Sequence, residues 1–79
     1  MASLAQAGTE IELSVAKQAT MGLEAFLAAM KFSRYLTAEQ ARAVDDVMEE
    51  VYRALGDDNT YDPQAFKEAL SKMQKALRP

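Results

Sequence analysis

Two helix-start signals and one stop divide this chain before any other property is weighed. Thr37-Ala38-Glu39-Gln40 has the capping-box form, in which the Thr hydroxyl and the Gln side chain satisfy two amide donors that a helix start leaves unpaired. Asp62-Pro63 is a second start, with a carboxylate to cap and Pro at the first helical position, where a missing N–H is harmless. Between them Gly56 follows Leu55, where a helix C-terminus favours glycine. The predicted helices are 38–55 and 63–77. Thr9-Glu10-Ile11-Glu12 repeats the capping form and predicts a first helix from Thr9 to Phe32 or Arg34, about 9–34. Residues 1–8 are expected to be loose, and 9–78 to form one domain.

The residue types agree with helix throughout. β-Branched apolar residues are confined to Ile11, Val15, Val44, Val47 and Val51, and the strand-like alternation over Ile11–Val15 has no second strand to pair with. The expected class is all-α: a three-helix bundle with a long first helix, with assembly as a helical dimer as an extension of it. Of the 79 residues 49% are hydrophobic, but 15 are Ala, so the core is small. Burial set against roughly 1.5 kcal/mol of ordering cost per residue comes out near zero, which favours a compact mini-domain or one that gains stability by binding.

Helical projection at about 100° per residue separates the three roles. The second helix gathers Ala41, Val44, Val47, Met48, Val51, Tyr52 and Leu55 on one side, opposite Asp46, Glu49 and Glu50. The third gathers Phe66, Ala69, Leu70, Met73 and Leu77, opposite Lys67, Ser71 and Lys75. Each needs one neighbour. The first helix spreads Ile11, Leu13, Val15, Ala16, Leu23, Phe26, Leu27 and Met30 over an arc of roughly 200°, and is expected to be covered on two sides. At about 35 Å against about 27 and 22 Å it is also the longest, so its apolar surface has an excess for a partner or a second copy. Leu13, Leu23, Leu27, Met30 and Tyr35 are the candidate apolar binding residues. Phe32, Tyr35 and Tyr52 are placed at the corner between the first two helices, as anchors or as a lid on the bundle.

Several chemistries are excluded at once. With no Cys and no His there is no disulfide scaffold, thiol nucleophile, zinc finger or His-based catalytic constellation. The longest hydrophobic run, Ala25 to Met30, is far below the roughly 20 residues that span a bilayer, and a cytoplasmic location without membrane contact is expected. A net charge of −3 argues against direct nucleic-acid binding.

The charge is nevertheless segregated. Residues 1–36 carry three acids and three bases, 37–62 eight and two, and 63–79 one and four. Asp45, Asp46, Glu49 and Glu50, followed by Asp57, Asp58 and Asp62, make an acidic face that is either solvated, with Glu49 and Arg53 as an i,i+4 pair, or a docking site for a basic partner. The i,i+4 carboxylate pairs Asp45/Glu49 and Asp46/Glu50 point to solvent and lack the burial an acid/base dyad needs. Counted from Asp57, a calcium loop would place Asp62 where Gly is required and Pro63 at the seventh position, so a capped turn is expected instead.

No catalytic, cofactor-binding or metal-binding residue is therefore predicted. The function expected is a small non-enzymatic interaction protein, an adaptor or inhibitor that grips a protein partner or itself through apolar helix surface, with a homodimer expected. The alternative is an acidic inhibitor that blocks a basic, nucleic-acid-binding protein by imitating nucleic acid. That alternative has the size and charge class of phage-encoded anti-CRISPR proteins, an analogy of class with no motif matched.

Overall fold

A computed structural model describes residues 11–78, and among them three helices form the predicted bundle: α1 (Leu13–Phe32), α2 (Ala38–Leu55) and α3 (Pro63–Leu77), with α1 the longest. The starts of α2 and α3 follow from their caps. Thr37 Oγ1 accepts from the Gln40 amide at 3.0 Å while Gln40 Oε1 accepts from the Thr37 amide at 3.0 Å. Asp62 Oδ1 accepts from the Ala65 amide at 3.0 Å. Four helix-start donors would otherwise be unpaired, so each such bond is worth about 1 kcal/mol.

The turn between α2 and α3 is built around Gly56, whose φ of 50° lies where L side chains rarely go. A Cβ at this position would meet Thr60 Oγ1 at 2.2 Å. That hydroxyl is held in place, because it accepts from the Asp57 amide at 2.8 Å and donates to Asp57 Oδ1 at 3.1 Å. The Asp62 amide then donates to the Ala54 carbonyl at 2.9 Å and closes the loop. α3 returns antiparallel to α2, with Glu50 paired to Lys72 at 2.6 Å and Gln40 donating to the Arg78 carbonyl at 3.2 Å. Between them lie the fully buried Val44, Val51 and Phe66, with Val47, Met48, Ala54, Ala69 and Met73 completing the core of the hairpin.

α1 starts later than its sequence predicts. Glu12 is extended and is its N-cap, so Ile11 and Glu12 are not helical and a start at Thr9 is corrected to Leu13. The physical reason is a tertiary tie: Tyr61 donates its hydroxyl to the Ile11 carbonyl, and Ile11 packs on the core. The Tyr61 ring in turn meets Phe66 edge-on, with centroids 6.3 Å apart. The Thr9 capping box and the loose segment 1–8 lie outside the described residues.

At its other end α1 closes without glycine. The Tyr35 amide reaches the Met30 carbonyl at 3.0 Å and the Arg34 amide reaches that of Lys31 at 3.1 Å, the paired bonds of a Schellman motif. Arg34 takes the left-handed position, at φ 59°.

The expectation that α1 is covered on two sides is corrected as well. One narrow seam faces the hairpin: Leu13, Ala16, Thr20, Leu23, Leu27 and Met30, spaced 3-4-3-4-3, are the buried and half-buried residues of this helix. Such spacing is that of one helix against one groove. Thr20 is tolerated there because its hydroxyl donates to the Ala16 carbonyl at 2.7 Å, leaving no orphan polar group.

Candidate functional site

The charges of α1 determine what its other side can do. Lys17, Glu24 and Lys31 recur every seventh residue, on one line just beside the seam. Each reaches the α2 side: Lys17 pairs with Asp58 at 3.4 Å, Glu24 accepts from the Tyr52 hydroxyl, and Lys31 pairs with Asp45. As the numbers rise along α1 they fall along α2, so the two helices are antiparallel. Glu24 pushes the Tyr52 phenol above its ordinary range, first through this hydrogen bond, then through burial and the repulsion of a second negative charge.

With those three side chains turned to α2, the remaining half of the circumference, roughly 180° wide, carries no charge. Val15, Met21, Phe26 and Phe32 are all exposed there, Phe32 at 90% and Met21 at 68%. Ala19, Gly22, Ala25, Ala28 and Ala29 fill the intervals and are exposed too. Isolated exposed apolar residues are ordinary on a protein surface, whereas here they are grouped on one uncharged flank, with Ser14 and Gln18 as its polar members. At its C-terminal end this flank runs into an apolar dimple of about 120 Å³, lined by Phe26, Ala29, Met30, Ser33 and Tyr35.

The apolar residues proposed from sequence are placed differently. Leu27 is 4% exposed and belongs to the core, and Leu13, Leu23 and Met30 are half-buried in the seam against the hairpin. Tyr35 alone of the five is exposed, and it borders the dimple. Tyr52 does not sit at the α1–α2 corner with Phe32 and Tyr35, because the antiparallel register carries it to the middle of α1, at Glu24. Phe32, placed from sequence at the corner as an anchor or a lid, is exposed, while the exposure of Val15, Met21 and Phe26 does not follow from the apolar sequence pattern alone. The heptad line of Lys17, Glu24 and Lys31 is the signal that would have found them, since it fixes which flank meets α2.

The acidic residues are largely engaged. Asp45, Glu50 and Asp58 are each paired with a lysine. Asp57 accepts from the Asn59 amide at 2.8 Å, from the Thr60 hydroxyl at 3.1 Å and from the Thr60 amide at 3.1 Å, which together hold its carboxyl below the usual range, the Asn59 bond contributing most. Asp62 is the α3 cap. Among the described residues Asp46 and Glu49 make no ion pair, and the Glu49–Arg53 pair does not form. The 57–62 loop is thus a capped turn in which Asp57 and Asp62 accept from backbone amides while Asp58 pairs with Lys17. Among the described residues no three Asp or Glu side chains converge as a metal ligand set, and no helix is long and apolar enough to cross a membrane.

Comparison with protein-family models, with curated proteins and with solved structures finds no match.

Proposed function

We propose that this chain is a small non-enzymatic interaction protein, an adaptor or inhibitor, that binds a protein partner through the outer half of α1. The observation that carries this reading is the one-sided distribution of charge on α1. All three ionic side chains of the helix are turned to α2, and the opposite half carries no charge over its full length, its residues being apolar or small apart from the polar Gln18. A partner for such a surface is itself apolar where it touches, and association is driven by burial and depends little on salt.

The acidic-inhibitor alternative now rests on Asp46 and Glu49, because the other acids of that face and loop are paired with lysines or used as caps. Capture of binding proteins from the source cells, with Phe26→Glu and the double variant Asp46→Lys, Glu49→Lys run beside the wild type, tests the reading. Loss of capture in Phe26→Glu, with retention in the double variant and at high salt, is expected. Loss in the double variant alone would overturn the reading in favour of the acidic face.

A further inference from the structure

We propose that the turn between α1 and α2 is a hinge that straightens, joining the two helices into one and carrying α1 across to the hairpin of a second copy. The product is an exchanged dimer, in which each α1 lies where the other chain's α1 lay. The groove that receives α1 is the one that α1 already fills, so its occupant is seen in the single chain.

The two helices are in step across the turn. The seam of α1 ends at Met30, and its rhythm continues through Arg34 and Thr37 into Ala41, Val44, Met48, Val51 and Leu55, spaced 4-3-4-3-4-3-4. Val44, Met48 and Val51 are buried and Ala41 and Leu55 half-buried, so the stripe that α2 turns inward is the continuation of the α1 seam. A turn is free to leave two stripes at any relative phase, whereas one unbroken heptad phase is what a single long helix needs.

Nothing in the turn breaks a helix. From Leu23 to Leu55 there is neither Gly nor Pro, whereas the α2–α3 connection has Gly56 and Pro63. Closing the α1–α2 turn places Arg34 at φ 59°, a conformation that arginine avoids. Ser33, Arg34, Tyr35 and Thr37 are exposed, and Leu36 alone packs this turn against the core. Straightening gives up the Thr37–Gln40 capping box and the Tyr35–Met30 and Arg34–Lys31 backbone bonds. In their place the unpaired carbonyls at the end of α1 meet the unpaired amides at the start of α2, and Arg34 returns to ordinary helical backbone. A short strained hinge of this kind favours exchange of an element between copies.

The direction of the helices fits. Because α1 lies antiparallel on α2, two straightened chains, each continuous from Leu13 to Leu55 and about 65 Å long, lie antiparallel on one another. Lys17, Glu24 and Lys31 of each chain then meet Asp58, Tyr52 and Asp45 of the other, which are the contacts made within the single chain. The two forms therefore differ only at the hinge and in the freedom lost on pairing, and the dimer grows with concentration. The outer half of α1 takes no part, so the exchange stands independently of the docking surface described above.

Refolding the full chain from urea at micromolar and at millimolar concentration, followed by size-exclusion chromatography with light scattering, tests this. A single species of 8.7 kDa is expected from the dilute sample, joined by a second of twice that mass from the concentrated one. In Arg34→Gly the association constant is expected to fall about a hundredfold, because glycine suits the left-handed turn and disfavours the helix at both hinges.

The chain has no cysteine, so spin labels on the double variant Gln18→Cys, Arg53→Cys, both positions exposed, report on the hinge directly. In the closed chain the labels sit on neighbouring helices, whose axes pack about 8–10 Å apart. Along one straight helix they are roughly 50 Å apart. With labelled chain diluted into unlabelled chain, so that only distances within a chain are read, the dimer is expected to show the long distance and the monomer the short one.

A chain that stays at 8.7 kDa after refolding at millimolar concentration would overturn the proposal. So would a dimer that keeps the short distance within each chain, since that is a pair of closed chains side by side. An Arg34→Gly chain that dimerises as the wild type does would equally count against the hinge.

Discussion

Glu24 and Tyr52 are joined by a hydrogen bond across the seam between α1 and α2, carboxylate to phenol, midway between the Lys17–Asp58 and Lys31–Asp45 pairs. These three contacts lie in a line beside the buried seam of Ala16, Thr20 and Leu27, and contacts and seam agree on one rotation of α1 about its own axis, which leaves the opposite half to solvent. The individual pairs are exposed and each contributes little to stability. Their consequence is orientation.

The Glu24–Tyr52 bond has a titration signature. The folded phenol is raised above its ordinary value of about 10, so the bond stabilises the fold fully below that pH and is lost as pH rises through the folded value. Lys72, raised through its hydrogen bond to Glu50, acts in the same alkaline window. Phenolate absorbance is expected to show a late-titrating component in the wild type that moves back towards the ordinary range in Glu24→Gln. Identical titration curves for the two chains would show that the bond is not made.

Among the described residues, the two with positive φ are expected to respond in opposite directions. Gly56→Ala forces a Cβ against the pinned Thr60 hydroxyl in a conformation alanine avoids, and a loss of about 1–3 kcal/mol in urea unfolding is expected. Arg34→Gly relieves a left-handed arginine at the end of α1, with a gain of up to about 1 kcal/mol, reduced by the extra freedom glycine gives the unfolded chain.

Phe66 is the largest fully buried side chain, and it bridges the hairpin core to Tyr61 and through it to Ile11. Phe66→Ala is expected to cost about 3–5 kcal/mol. A domain of this size has only about 4–12 kcal/mol in total, so the thermal transition should fall far or vanish. A shift of only a few degrees would mean that the core is not closed around this ring.

The hairpin was legible because its signals are local. Thr37 with Gln40, and Asp62 with Pro63, act within one turn of helix, and the amphipathic stripes of α2 and α3 contain Val44, Val51 and Phe66 whatever lies around them. The extent and rotation of α1 were not, because tertiary contacts set them. Tyr61 holds Ile11 out of the helix from fifty residues away, and nothing in Thr9-Glu10-Ile11-Glu12 carries that information. The ambiguity of the apolar arc on α1 had the same origin: Leu23 and Leu27 on one side and Val15 and Phe26 on the other are equally good core residues by type. The choice between them is made by Lys17, Glu24 and Lys31 finding Asp58, Tyr52 and Asp45. Arg34 at a position that normally asks for glycine likewise left the end of α1 without a clear mark.

The central claim is that this chain meets other proteins through the outer half of α1 and not through the acidic face of α2. A photo-crosslinking residue placed at Ala25 on the first surface, or at Glu49 on the second, and irradiated in the source cells, tests it most directly. The account predicts discrete cross-linked species from position 25, to a partner, and none from position 49. Cross-links from position 49 with none from position 25 would contradict it.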